Sequence, residues 1–522
     1  MSGSYRHRAS VPRDNLLMLQ YTRTIGSSSR LTPWRASLSV GEQSMTQHSD
    51  ERQPNIIWLM ADDMGYGDPA CYGTGRIATP EMDRLAREGV RFTDAHAASS
   101  VCTPSRYSVM TGRYNWRSTL KRSVIGGFSP PLIDPARPTV ASFLKDQGYS
   151  TGCIGKWHLG IDWQTRPRTD PTESSGWGDP GNIDYSRPFR GGPIDVGFDR
   201  FFGIAGSLNL PPWVFLDQDR TIATPTVVRE RSDDFWEGMP TGLMAPDWID
   251  EQVDVHHLNQ ARAFINEQVE KDSPFFLYLT PSAPHSPWSP PEFLKGKSGV
   301  GPRGDLILTI DWMVGELLDQ LDRLGIGDNT LFVVTSDNGG HDRADYERTS
   351  FGHRVNADLR GFKSQIWDGG HRVPFLARWP QTIPAGTTCS DLIGLHDLFA
   401  TCAEICNKPL PARAAEDSRS FLPSLRNPDA THTGRTELVH HSARGRFSIR
   451  EKQWKLIDAC DSGGFIEKSW RSPVPGEPAG QLYRLDTDTS ETRNLWDTEP
   501  EIRERLLQRL RNIQDASGSR QE

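Results

Sequence analysis

Two pairs of oxygen-bearing residues follow two strongly apolar segments of the chain. Asp62 and Asp63 come directly after the run 55–60, and Asp337 and Asn338 follow the run 330–335. Short apolar runs predict buried strands, and sites assemble where such strands end in an α/β sheet. Carboxylate and amide oxygens suit calcium or magnesium rather than zinc or copper. Taken singly each pair reads as a turn, but together they predict a metal site.

Other side chains that carry protons also come just after predicted strands. Lys156 and His158 follow the segment 151–155, His285 follows 275–280, and Lys363 precedes 373–377. Residues two apart in an extended segment point to one side, so Lys156 and His158 are expected to face the same way. Any one of them alone would be a solvated charge or a packed histidine. Their recurrence beyond buried strands predicts one shared site.

A third feature is the run Cys102-Thr103-Pro104-Ser105-Arg106. Pro104 suits the first turn of a helix, and the residues after it can continue that helix. Cys102 is therefore predicted at a helix N-terminus, where free amides and the dipole favour an anion. Arg106 follows one helical turn later. On its own, the run would be a small buried thiol and a surface arginine.

These segments resemble the type I sulfatases of the alkaline phosphatase superfamily, motif by motif and in the same order. The run from Cys102 resembles the C-x-P-S-R maturation signature, and the resemblance extends from about Pro54 to the C-terminal helix. The other matching segments are 61–68, 111–113, 155–160, 284–285, 336–339, 359–363 and 370–374. A full set of separated motifs is more specific than any one of them.

The resemblance implies a role for each candidate residue. Four residues would hold a divalent cation, calcium before magnesium: Asp62, Asp63, Asp337 and Asn338. Cys102, oxidised to formylglycine (3-oxoalanine) by a maturation enzyme, would direct an oxygen to that cation and attack sulfur. The remaining catalytic residues would be Arg106 beside the aldehyde hydrate, His158 as base with Lys156 next to it, and His285 and Lys363 on the sulfate, with His285 as acid.

The implied activity is hydrolysis of sulfate monoesters, of a sulfated carbohydrate, with aryl sulfates as surrogates. Hydrated formylglycine carries two hydroxyls on one carbon, so one can attack sulfur and the other can drive release of sulfate. A serine would be left holding a stable sulfate ester. Two alternatives stay open: a phosphate or phosphonate ester hydrolase of the same superfamily, and a non-catalytic protein that binds sulfated glycans with an unmodified Cys102.

The order of apolar segments predicts an α/β fold with an alkaline-phosphatase-like, mixed, mostly parallel sheet between helices. Apolar residues at helical spacing over 310–324 predict a helix packed on that sheet. Short strands from about 435 and a helix near 500–513 predict a smaller antiparallel α+β subdomain. The predicted boundaries are 1–52 for an N-terminal extension, 53–432 for the catalytic domain, 433–516 for the subdomain and 517–522 for a tail.

Composition limits the partners. The 522-residue chain has a formal net charge of −8 and no basic block, so we expect no nucleic-acid partner, and a sulfated substrate needs a local positive pocket. No apolar run is long enough to cross a bilayer. The first 52 residues contain no apolar segment of signal-peptide length. We therefore expect a cytoplasmic location by default, with export left open because Met45 is an alternative start.

Two irregular stretches rich in Gly, Pro and Trp run over 162–197 and 207–250. Long insertions of this kind are often functional. They either build a wall around the organic part of the substrate or pack on the surface of the domain. The first interpretation predicts that Trp163 and Trp177 determine substrate preference.

Overall fold

The computed structural model describes residues 52–73, 75–167, 180–231, 239–341, 345–430, 434–465 and 470–520. Residues 1–51 and Trp177 lie outside this part. Its strands are β1 (Asn55–Ala61), β2 (Val90–Phe92), β3 (Ala95–His96), β4 (Ser150–Lys156), β5 (Arg200–Ile204), β6 (Leu216–Asp217), β7 (Arg220–Thr221), β8 (Val227–Arg229), β9 (Gly242–Met244), β10 (Phe275–Thr280), β11 (Thr330–Ser336), β12 (Phe375–Arg378), β13 (Thr387–Cys389), β14 (Ile393–Gly394), β15 (Glu437–His441), β16 (Phe447–Glu451), β17 (Trp454–Ile457) and β18 (Gln481–Arg484). Its helices are α1 (Pro80–Glu88), α2 (Cys102–Thr111), α3 (Val140–Asp146), α4 (Val253–Glu270), α5 (Pro302–Leu324), α6 (Asp345–Phe351), α7 (Asp368–His371), α8 (Leu398–Ile405), α9 (Leu422–Arg426) and α10 (Pro500–Asp515).

A ten-stranded sheet forms the centre of the molecule, in the order β13-β2-β12-β11-β1-β10-β4-β5-β6-β7. Strands β11, β1, β10, β4 and β5 run parallel, and β12 pairs antiparallel with β11. Apolar residues of α2, α3 and α8 pack on one face, and those of α1, α4 and α5 pack on the other. The predicted mixed, mostly parallel α/β fold is confirmed, and so is the helix over 310–324, which lies within α5.

A second sheet, β15-β16-β17-β18, is antiparallel throughout. Leu506 and Leu510 of α10 are buried with Leu438, Ile449 and Leu456 of this sheet, so the helix covers one of its faces. The predicted antiparallel subdomain with a terminal helix is confirmed. Its boundaries at 432 and 516 stay predictions, and residues 431–433 lie outside the described ranges.

The second sheet is joined to the chain segment that leads into α2. The amide of His441 donates to the carbonyl of Ala98 (3.1 Å), and the amide of Ser100 donates to the carbonyl of His441 (3.0 Å). The antiparallel subdomain therefore holds the residues just before Cys102. In the described part of the chain, no helix combines the length and apolarity needed to cross a membrane.

The tryptophans of the two irregular stretches pack inward. Trp163 is 8% exposed, donates its indole N–H to the carbonyl of Gly127 (2.9 Å) and contacts the ring of Tyr185. Trp213 and Trp248 are buried as well. A buried indole cannot present its face to a sugar, so these three residues fit the packing interpretation. Trp177 lies outside the described residues.

Candidate active site

The register of two central strands brings the four proposed oxygen donors together. Ala61 of β1 lies opposite Ser336 of β11, and the amide of Asp337 donates to the carbonyl of Ala61 (3.1 Å). Parallel neighbours end at one edge, so the residues that follow them meet there. The amide of Asp63 donates to Oδ1 of Asp337 (3.1 Å), and Nδ2 of Asn338 donates to Oδ1 of Asp63 (2.8 Å). All four side chains are buried.

Cys102 begins α2 and faces this cluster. Its Sγ lies 3.5 Å from Oδ1 of Asp62 and 4.0 Å from Oδ1 of Asp63. One donor atom each from Asp62, Asp63, Cys102 and His285 lies within 4.8 Å of the others. Burial and the nearby Asp337 carboxylate raise the pKa of the Cys102 thiol well above its ordinary value. An unmodified thiol here stays protonated at neutral pH and is a poor nucleophile.

Three buried cations balance the three carboxylates. The pairs are Lys156 Nζ with Asp62 Oδ2 (2.7 Å), Lys363 Nζ with Asp63 Oδ2 (2.7 Å), and Arg106 with Asp337 Oδ2 through Nη2 (2.7 Å) and Nε (3.0 Å). Burial alone would raise the pKa of Asp62, but Lys156 and the cations around it outweigh burial and hold that pKa well below its ordinary value. Asp62 is therefore ionised.

Two observations show that the donor set suits a further cation. Burial raises the pKa of Asp337 despite its pairing with Arg106, and the Asp62 carboxylate raises it further. Within the described ranges, Oδ1 of Asn338 is buried without a hydrogen-bond partner. An orphaned amide oxygen beside closely spaced carboxylates fits a hard divalent ion with oxygen ligands.

His158 is held in its neutral form. Its Nε2 lies 2.7 Å from the carbonyl oxygen of Ile125, which only accepts, so Nε2 carries the hydrogen. The Nδ1 lone pair is buried and has no hydrogen-bond partner in the described part of the chain. Burial lowers the pKa of His158 well below its ordinary value, and the charges of Lys156 and Arg106 lower it further.

The expected extended arrangement at His158 is wrong. Strand β4 ends at Lys156, and His158 has a φ of 57°, in the left-handed region. The two side chains consequently meet different partners, Asp62 for Lys156 and Ile125 for His158. Ile125 also contacts the residue after Cys102, since its amide donates to Oγ1 of Thr103 (3.3 Å). His158 is thus tied to the start of α2 through a carbonyl that sequence spacing does not reveal.

His285 lies beside Asp63 and Lys363. Its Nδ1 lies 2.7 Å from the carbonyl oxygen of Ser286, so Nδ1 carries a hydrogen. Its Nε2 lies 3.1 Å from Nζ of Lys363 and 3.7 Å from Oδ2 of Asp63. Lys363 and His285 therefore lie together beside the Asp63 carboxylate. All six proposed catalytic residues are buried around one cluster.

Sequence reasoning missed residues that position this cluster. Asp254 of α4 accepts the amides of Ser282 (2.7 Å) and Ala283 (2.9 Å), and so fixes the loop that leads to His285. Arg303 of α5 donates to the carbonyl of Asp63 (3.1 Å) and pairs with Asp68. Asp68 could have been identified from the sequence, because it lies in the matched segment 61–68. Asp254 and Arg303 could not, because a single aspartate or arginine within a helix has no distinguishing pattern in the sequence.

The chain is similar to known sulfatases over most of its length. The sulfatase family profile matches residues 54–407. An N-acetylgalactosamine-6-O-sulfatase of Bacteroides thetaiotaomicron is 33% identical over 502 residues, covering 89% of this chain and 94% of that protein. Human steryl-sulfatase is 33% identical over 407 residues, covering 72% of this chain and 70% of that protein.

Solved structures agree with this similarity. A structure from work on glycosaminoglycan metabolism by Bacteroides thetaiotaomicron superposes with a TM-score of 0.77 at 33% identity, covering 89% of this chain and 100% of that one. The phosphonate monoester hydrolase of Agrobacterium radiobacter has a TM-score of 0.55 at 18% identity, covering 88% and 95%, which indicates a shared fold. The chain therefore belongs to the sulfatase family and is a type I sulfatase of the alkaline phosphatase superfamily, a sulfuric ester hydrolase.

Proposed function

We propose that this protein hydrolyses sulfate monoesters of a sulfated glycan, with residue 102, oxidised to formylglycine, as the nucleophile. The observation that carries the proposal is the convergence of Cys102 with three carboxylates and three cations in one buried cluster. The similarity to an N-acetylgalactosamine-6-O-sulfatase supports a sulfated sugar as the substrate. The Cys102 thiol itself is a poor nucleophile, which supports its conversion.

The conversion needs a maturation enzyme as a partner. Hydrated, the aldehyde would supply two hydroxyls on one carbon, one to bond to sulfur and one whose deprotonation breaks the carbon–oxygen bond and releases sulfate. Arg106, within α2, keeps its side chain against Asp337 and Asp62 beside residue 102. The N-terminal amides of α2 favour the anionic group that must approach there.

Asp62, Asp63, Asp337 and Asn338 would hold a divalent cation, and calcium suits them better than magnesium. Calcium accepts several oxygen ligands in flexible geometry, whereas magnesium demands a regular octahedron and keeps its waters. Bound there, the ion would act as a Lewis acid that lowers the pKa of the nucleophilic hydroxyl. Asn338 would contribute the Oδ1 atom that has no hydrogen-bond partner among the described residues.

Two other side chains would bind the sulfate group. Nζ of Lys363 and Nε2 of His285 lie 3.1 Å apart beside Asp63, so both can approach the oxygens of one sulfate. Nδ1 of His285 is held by the carbonyl of Ser286, so Nε2 is the nitrogen that, once protonated, would give its proton to the departing sugar oxygen. Proton transfer from a positioned side chain typically contributes about 10²–10⁴-fold to the rate.

His158→Asn is expected to lower kcat by about 10²–10⁴-fold, because Nδ1 of His158 would accept the proton of the second hydroxyl. A base works only when neutral, and the pKa of His158 is lowered, so the acid limb of the native pH–rate profile should lie below the ordinary imidazole pKa of about 6.5. Steady-state rates on 4-nitrophenyl sulfate across pH measure both.

His256→Asn is the matched control, since His256 is exposed on α4. It should leave the rate and the profile unchanged. Native kcat in the His158 variant would contradict the role of His158, and so would an acid limb above the ordinary imidazole value in the native protein.

Paired substrates test the reaction class. Protein produced with a maturation enzyme should hydrolyse 4-nitrophenyl sulfate in preference to 4-nitrophenyl phosphate. The mass of its peptide containing residue 102 should show the loss of one sulfur and two hydrogens and the gain of one oxygen, which is the change from cysteine to formylglycine. A preference for phosphate would favour the phosphate or phosphonate ester alternative. A protein whose Cys102 stays unmodified beside the maturation enzyme, and which binds sulfated sugars without turning either ester over, would favour the binding-protein alternative.

A further inference from the structure

A basic cleft of about 560 Å³ is lined by none of the proposed catalytic residues and takes no part in the chemistry described above. It is lined by the segment after α2, by the turn between β15 and β16, and by Gly463 and Trp470. Its lining includes four cations, Lys121, Arg122, Arg444 and Arg446. The chain as a whole has a net charge of −8, so this concentration of positive charge is local.

Three of the four cations are not neutralised by the described residues. Arg446 pairs with Asp461 (2.8 Å). Nζ of Lys121 donates to the carbonyl of Trp116, and the guanidinium of Arg444 lies 3.7 Å from the ring centroid of Trp470. In the parts of the chain that the structure describes, no carboxylate forms an ion pair with Lys121, Arg122 or Arg444. These three side chains are exposed, as cations on a protein surface commonly are, but they are grouped with Arg446 in the lining of one cleft.

Aromatic surface accompanies the charge. Trp116, Phe447 and Trp470 line the same cleft, and Trp470 is 39% exposed. The contact between Arg444 and Trp470 is a cation–π interaction, which holds the guanidinium in place. A wall with both apolar and cationic parts suits a molecule with apolar ring faces and negative groups.

Backbone contacts connect the cleft to the proposed catalytic residues. Arg122 is three residues before Ile125, whose carbonyl holds His158, so their Cα atoms are at most about 11 Å apart. Arg444 follows Ala443, whose amide donates to the carbonyl of Ser364 (3.0 Å), the residue after Lys363. The amide of Ser123 also donates to the carbonyl of Ala443, which ties the two walls together. Arg122 and Arg444 thus lie a few residues along the chain, or one backbone hydrogen bond, from Ile125 and Lys363, a separation that a short oligosaccharide can span.

We propose that this cleft is a subsite for a second anionic group, a carboxylate or sulfate on a sugar adjacent to the one that loses its sulfate. This inference deepens the proposed function and rests on it. Lys363 and His285 would bind the scissile sulfate. Arg122 and Arg444 would bind a second anionic group, and so would select glycans that carry repeated negative charges. The preferred substrate class is an anionic oligosaccharide, not an isolated sulfated monosaccharide.

The test measures binding separately from catalysis. A full-length Cys102→Ala protein is titrated by calorimetry with a chondroitin 6-sulfate tetrasaccharide and with the unsulfated chondroitin tetrasaccharide. Adding Arg122→Ala and Arg444→Ala should weaken binding of the sulfated tetrasaccharide by about tenfold or more, because charged hydrogen bonds are lost. Binding by the parent should also weaken as salt is raised. An equal loss with the unsulfated sugar identifies carboxylates as the groups bound, and a loss confined to the sulfated sugar identifies sulfate.

Arg87→Ala with Arg323→Ala is the matched control. It removes the same charge from exposed positions just before β2 and β11, at the opposite edge of the sheet, and should leave binding unchanged. With Cys102 intact and matured, the Arg122/Arg444 variant should keep native turnover of 4-nitrophenyl sulfate, which has no second anion. An Arg122→Gln/Arg444→Gln variant guards against misfolding and should behave in the same way.

Three results would overturn the subsite: no binding of either tetrasaccharide by the parent, unchanged affinity in both arginine variants, or an equal loss in the control. A failed subsite differs from a failed proposed function. If matured native protein does not hydrolyse 4-nitrophenyl sulfate, the proposed chemistry fails. The loss of affinity caused by the Arg122 and Arg444 substitutions, by contrast, is measured without turnover and reports on the cleft.

Discussion

Cys102→Ala is expected to lower kcat/KM for 4-nitrophenyl sulfate by about 10⁴-fold or more, since removal of a nucleophile from a catalytic cluster has effects of this size. The structure gives the physical reason, because Sγ of Cys102 lies against Asp62 and Asp63 where an oxygen made from it would face the proposed cation. Steady-state kinetics on matured protein measure the loss, and calcium is kept in the assay.

Cys102→Ser separates the attack from the release step. A serine hydroxyl has no second oxygen on its carbon, so at most one sulfate should be transferred to each molecule and turnover should stop. Intact-mass measurement after incubation with substrate detects that adduct. Cys402→Ala, a buried change in α8 away from the cluster, should keep native activity. Full activity of Cys102→Ala in a matured preparation would refute the proposed nucleophile.

Asp337→Ala is expected to reduce both stability and activity strongly. Arg106 is fully buried and donates to Asp337 through Nε and Nη2, and removal of one partner from a buried pair costs about 3–5 kcal/mol. Asp337 is also a proposed ligand of the cation, so kcat/KM should fall by more than the roughly 10–100-fold typical of outer-shell partners. Urea unfolding with calcium and with a chelator measures the first effect, and steady-state kinetics measure the second.

Two comparisons isolate the cause. Asp486→Ala breaks an exposed pair with Arg484 and should leave the free energy of unfolding nearly unchanged, because water screens an exposed pair. Asp337→Leu combined with Arg106→Met replaces the buried pair with apolar side chains and should recover stability without recovering activity. Calcium that binds only the folded protein raises its stability, and it should raise the stability of Asp337→Ala less if Asp337 helps to bind it. Equal stabilisation of the native protein and of Asp337→Ala by calcium would therefore show that Asp337 does not coordinate the ion.

Strand patterns allowed prediction of much of the site. The apolar run 55–60 is β1 and the run 330–335 lies within β11, and parallel pairing with Ala61 opposite Ser336 places Asp62 and Asp337 together. This prediction works because a buried parallel strand must be apolar on both faces, so its first charged residues mark its end. The pairing of Arg106 with Asp337 follows from no such rule, since it joins residues 231 positions apart.

Loops were less predictable than strands. The tryptophans at 163, 213 and 248 are compatible from sequence with either sugar stacking or packing, and only their burial favours packing. The left-handed backbone of His158 and its hydrogen bond to Ile125 also went unpredicted, because a residue that is not glycine adopts a positive φ only when tertiary contacts hold it.

The sequence by itself determined the fold class, the order of the strands' polar ends and the family to which the chain belongs. These depend on local patterns, namely apolar runs and short motifs, which are readable residue by residue. Tertiary structure alone decided which carboxylate pairs with which cation, which nitrogen of His158 carries the hydrogen, and where basic residues such as Arg122 and Arg444 come together. Those outcomes depend on contacts between distant segments, whose distances and burial set the charges and pKa values that chemistry requires.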